Sequence, residues 1–79
     1  RGDVVPAVEA FSEAVTVART VGQYFNQAEN LTHLGEAQHA AGNLAATRSA
    51  WEEALVVLEE LEHPQAEALR ARLALLPTP

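Results

Sequence analysis

At 79 residues the chain has room for one small domain. It carries no cysteine and no methionine, 11 acidic against 5 basic side chains, and a formal charge of −6. Those figures exclude a disulfide framework and any cysteine-based metal or redox centre. They also oppose binding to nucleic-acid phosphate or to an anionic membrane surface.

Four helices are predicted in chain order, and nothing reads as a strand. Gly2 suits a left-handed helix-ending residue, and Asp3 suits an N-cap whose carboxylate accepts a free N–H of the next turn. A first helix then runs from about Val4 to Thr20, with Pro6 in its first turn and Val8, Phe11, Val15 and Ala18 at helical spacing. Val21-Gly22 breaks it. The second helix runs from about Tyr24 to Ala41 and turns Phe25, Ala28, Leu31, Leu34 and Gly35 inward. Gly42-Asn43 repeats the turn and cap. The third helix runs from about Leu44 to Leu61, burying Leu44, Thr47, Trp51, Ala54, Leu55 and Leu58. Glu62-His63-Pro64 ends it, with Pro64 as first residue of a fourth helix that presents Ala66, Leu69, Leu73 and Leu76 before Pro77. Alanine dominates the apolar residues, which suits helices in close contact, since Ala has the best helix propensity and loses no side-chain entropy.

The chain also repeats itself. Gly2-Asp3-Val4 recurs as Gly42-Asn43-Leu44, Ala7 as Thr47, Phe11 as Trp51 and Ala14-Val15 as Ala54-Leu55, all at an interval of 40 residues. Matched turn, cap, aromatic and small-residue positions in one register point to a repeated helix–turn–helix unit.

From Ala28 to Leu61 the residues resemble a tetratricopeptide repeat. Leu31 stands at the large apolar position of its first helix, Leu34-Gly35 at the Leu-Gly pair, Gly42-Asn43-Leu44 at the turn, Trp51 at the large aromatic and Ala54-Leu55 at the closing pair. Gln38, Thr47 and Glu59 depart from that pattern, standing where the family usually has an aromatic, an Ala and a Pro. The resemblance implies an all-α fragment of an α-α superhelix built from four antiparallel helices. Residues 1–22 would be the second helix of a truncated repeat, 23–62 a complete helical hairpin, and 63–79 a capping helix and tail. The small Gly35 and Ala54 would mark where the paired helices approach. The stretch from Leu31 to Leu73 is further similar to the C-terminal repeats of the Streptomyces antibiotic regulatory protein family. The residues that suggest it are His33-Leu34-Gly35-Glu36-Ala37, His39-Ala40-Ala41-Gly42-Asn43, Trp51-Glu52-Glu53-Ala54-Leu55 and His63-Pro64 leading to Arg70-Ala71-Arg72-Leu73. That resemblance implies a repeat region of an actinobacterial transcriptional regulator whose DNA-binding and nucleotide-binding parts lie elsewhere.

Mapped onto such a repeat, the concave groove is lined by Glu29, Thr32, Glu36 and His39, with Ala40 and His33 beside them. The family's clamps for peptide C-terminal carboxylates use Lys and Arg at these places, and here neither is present. A basic or polar protein segment is the better expected ligand, against the plainer reading of a solvated helix face. Glu29, His33 and Glu36 share one helical face as metal ligands could, but one helix seldom closes a site alone, and no metal is expected. Glu52-Glu53 and Glu59-Glu60 read as solvated charge rather than acid/base pairs. No Gly-rich phosphate loop or Ser-His-Asp arrangement appears, so no enzyme activity, catalytic residue or cofactor is expected. Arg1-Gly2-Asp3 and Asn30-Leu31-Thr32 spell adhesion and glycosylation tripeptides but are explained as turn and buried helix.

The expected function is therefore a protein–protein interaction module that docks a protein or peptide segment or neighbouring repeats. The alternative is a structural spacer or self-association element. A homodimer through the N-terminal helix is expected, because some of Val4, Val8, Val15 and neighbouring apolar groups would face water without a preceding repeat. Arg1 in place of Met suggests a piece of a longer chain. Arg for every basic residue, with Ala, Val and Leu for the core, suits a GC-rich bacterial genome. No apolar run nears the roughly 18 residues that span a bilayer, and a cytoplasmic location is expected, without membrane or nucleic-acid partners.

Overall fold

The computed structural model describes the backbone of residues 4–77 and the side chains of residues 6–77. Its order is α1 (Val4–Thr20), α2 (Tyr24–Ala40), α3 (Leu44–Glu60) and α4 (Gln65–Leu75). The fold is all-α, and among the described residues there is no strand. The expected Gly2-Asp3 turn, the Arg1-Gly2-Asp3 tripeptide and the Val4 side chain lie outside the described residues.

The first three helices end in the same way. Gln23 N–H donates to Ala18 C=O and Gly22 N–H to Arg19 C=O; Asn43 and Gly42 repeat the pair onto Gln38 and His39, and His63 and Glu62 onto Leu58 and Glu59. This hydrogen-bond pair needs a left-handed residue just past the helix. Gly22 and Gly42 supply it at φ +76° and +79°. The third turn places Glu62 there, at φ 53°. Such backbone costs a residue with a Cβ roughly 1–2 kcal/mol. The turn therefore recurs every 20 residues along the backbone, although the side chains repeat at 40.

The short turns fold the helices back on one another, α1 on α2, α2 on α3 and α3 on α4. The contact surfaces are rich in alanine: Ala18, Ala28, Ala50, Ala54 and Ala66 are all buried. Val15, Leu31, Trp51, Leu58, Leu69 and Leu76 complete the core. Gly35 is small because the Trp51 indole lies directly against it. Trp51 Nε1–H donates to the Thr32 carbonyl at 3.0 Å, so this large buried ring is polar-satisfied as well as packed.

Several expectations need correction. Val15 is only 5 % exposed and belongs to the core, so it forms no part of a wet apolar patch. Among the described residues of this region, the exposed valines are Val17 and Val21. Leu44 is expected inward but is 37 % exposed at the first position of α3. Pro64 is the N-cap rather than the first residue of α4, and α2 and α3 each stop one residue early. Asn43 caps α3 as expected, its side chain accepting from Ala46 N–H. Buried Gln27 and Ala50 were not anticipated.

Candidate groove between the second and fourth helices

The floor of the groove is α3, and its walls are α2 and α4. Thr32 of α2, Leu58 of α3 and Gln65, Ala68, Leu69 and Arg72 of α4 line one cavity of about 180 Å³. His39 of α2, Trp51 of α3 and Arg72, Leu75, Leu76 and Pro77 line a second of about 290 Å³. Arg72 borders both, so the two wells adjoin at its side chain.

That side chain is held from two directions. Its guanidinium carbon sits 4.3 Å from the Trp51 ring centroid, where the negative face of the indole attracts a cation. Its Nη1 donates to Glu36 Oε2 at 3.0 Å. The other Glu36 oxygen meets His33 Nδ1 at 3.1 Å. Partial burial opposes ionisation of Glu36, but the hydrogen bonds and charges of His33 and Arg72 outweigh it and hold its pKa below the ordinary 4.5. His33 also meets Phe11 of α1, with ring centroids 5.4 Å apart.

Of the four groove residues expected from sequence, Thr32 and His39 each line one well and Glu36 anchors the divider between them. Glu29 is exposed and lines neither well. The α2 wall carries no Lys or Arg, and α4 delivers Arg72 from across the groove. The decisive distance, between Trp51 and a residue 21 positions later, depends on how α4 packs and has no local sequence signal. Among the described residues no three His, Asp or Glu side chains gather as metal ligands.

The ends of the wall are pinned by polar contacts. Arg48 of α3 donates to the Pro77 carbonyl at 3.2 Å and reaches the Leu76 carbonyl at 3.5 Å, placing a cation at the C-terminus of α4. At the other end His63 Nδ1 accepts the Gln65 N–H at 3.1 Å, capping α4, while its ring stacks on Phe25 with centroids 4.7 Å apart. Arg70 of α4 pairs with Glu59 and Arg19 of α1 with Glu53, both of α3.

Over 61 residues the chain is 39 % identical to "Regulatory protein AfsR" of Streptomyces griseus, a match that covers 77 % of this chain. It spans only 6 % of the length of that relative. The chain matches no protein-family model. No solved structure matches it either. Among the described residues no helix is long and apolar enough to cross a membrane.

Proposed function

We propose that this chain is a tetratricopeptide-type interaction segment of an actinobacterial transcriptional regulator, non-catalytic and cytoplasmic, with the α2–α4 groove as its docking surface. The observation that carries the reading is the groove itself: two adjoining wells on a shared apolar floor, flanked by Thr32, His39 and Arg72. Open apolar wells edged by a few fixed polar groups suit a polypeptide better than a small metabolite. The similarity to a Streptomyces regulatory protein, and the tetratricopeptide pattern from Ala28 to Leu61, supply the wider context. Nucleic-acid recognition is assigned to other parts of the parent protein, consistent with a charge of −6 here.

The test is to pan the chain with phage displaying random short peptides and to map the enriched peptides by amide chemical shifts. Shifts centred on Thr32, Glu36, His39 and Arg72 are expected. Binding confined to the outer faces of α1 or α4, or no enrichment, would overturn the reading.

Self-association through α1 remains the second reading, favoured by Val17 at 61 % and Val21 at 58 % exposure. Sedimentation from micromolar to millimolar concentration checks it. A dimer that dissociates on Val17→Glu is its expected signature, and a monomer throughout refutes it.

A further inference from the structure

We infer that the groove selects a segment presenting a side-chain carboxylate between two apolar side chains, with Arg72 as the group that reads the carboxylate. The inference rests on the reading of the groove as a docking surface. It begins from an asymmetry in the Arg72–Glu36 pair. Both Glu36 oxygens are occupied, one by His33 and one by Arg72. Among the described residues Arg72 donates through Nη1 alone, leaving the other donors of its guanidinium fork unspent. Arg72 borders both wells, whereas Glu36 borders neither. The unspent guanidinium donors therefore stand between the wells, with the neutral Gln65 amide lining one well and the His39 imidazole the other.

The shape follows from the same side chain. An occupant that fills one well with an apolar group and the other with a second must pass over Arg72 on the way. A carboxylate at that point makes charge-assisted hydrogen bonds to a guanidinium already fixed on Trp51, so little side-chain freedom is lost on binding. A lysine or arginine at that point would meet Arg72 as a like charge. The overall acidity of the chain does not reverse this preference. At physiological salt the screening length is about 8 Å, short against a molecule 33 Å long, so the nearest charge decides. Glu36 then acts as an internal competitor that the ligand carboxylate partly displaces.

The experiment uses the peptides enriched in the panning above, resynthesised and titrated by the fluorescence of Trp51, the chain's single tryptophan. The expected consensus is Asp or Glu flanked by large apolar residues. Changing that acid to its amide should weaken binding roughly tenfold, the size of one charge-assisted hydrogen bond. Arg72→Gln should weaken the parent peptide similarly while leaving the amide peptide nearly unaffected, so that the two losses do not add. Glu36→Gln should tighten binding several-fold by freeing Arg72. The peptide-side change leaves the protein intact and decides the matter even if Arg72→Gln impairs folding. Groove-binding peptides with a basic centre, weakened by Glu36→Gln, would overturn this inference and leave the docking surface standing. Failure to find any groove-binding peptide would overturn both.

Discussion

Gly35→Ala tests the contact on which the core is built. An added Cβ would lie within 3.0 Å of Nε1, Cδ1 and Cε2 of Trp51, where ordinary contact begins near 3.4 Å. The indole would have to retreat by about 1 Å, and it has no free direction, since it is 3 % exposed in the core. Retreat lengthens the Nε1–H bond to the Thr32 carbonyl from 3.0 Å and disturbs the Arg72 guanidinium at 4.3 Å. Overpacking costs about 1–3 kcal/mol, and a buried donor left unpaired about 1–3 kcal/mol more. Helix propensity returns about 1 kcal/mol on replacing Gly by Ala. The net expectation is a loss of about 2–4 kcal/mol, a large share of the few kcal/mol that a chain this short can hold. Urea unfolding followed by Trp51 fluorescence and far-ultraviolet circular dichroism measures it. Gly42→Ala serves as control, since a Cβ there meets nothing within 4 Å and strains only the φ +79° backbone; it should cost roughly 1–2 kcal/mol. A Gly35→Ala chain as stable as wild type would refute the close approach of α2 and α3.

Three further outcomes are expected. Trp51→Ala should lower stability by about 3–5 kcal/mol and abolish cooperative unfolding, measured by circular dichroism. Glu62→Gly should raise the urea midpoint, worth up to about 1 kcal/mol, because Glu62 holds φ 53° in a turn where the two sister positions are glycine. Glu36 has its pKa lowered in the folded state, so its contribution is present above the ordinary 4.5 and is lost as pH falls through the folded value. With 44 % of its side chain exposed the effect is screened and stays below about 1 kcal/mol. The stability difference between wild type and Glu36→Gln, followed from pH 7 downward, should shrink only in the acid range. A gap that persists unchanged at the lowest pH would contradict the assignment.

The sequence announced its helices through features that act locally. Gly22, Gly42 and Asn43 state where helices stop and start whatever surrounds them, and the small Gly35 and Ala54 mark a close approach of helices without saying that the Trp51 ring lies against Gly35. The third turn was harder to read as a copy of the other two, because its left-handed position carries Glu62 and its cap comes from the His63 imidazole. Val15 and Leu44 show a different limit. Whether an apolar position is covered depends on what lies across from it, and helical spacing alone does not report how far the neighbouring helix extends. Thr32, Glu36 and His39 could be placed on one wall by spacing within α2. The opposite wall could not, since Arg72 reaches the groove only through the packing of α4.

The succession of contacts, each helix against its chain neighbours, has a consequence for how the molecule opens. Among the described residues α4 packs on α3, and beyond that helix it is tied by Glu36 to Arg72 and by Phe25 to His63 just before it. In a linear array of this kind the end element can detach as a separate cooperative unit while the rest stays folded. The wall that carries Arg72 is such an end element and is expected to open before the central α2–α3 pair. An occupant of the groove bridges that wall to α2, so its binding energy should register as slowed hydrogen exchange along α4, with little change in the amides of α1.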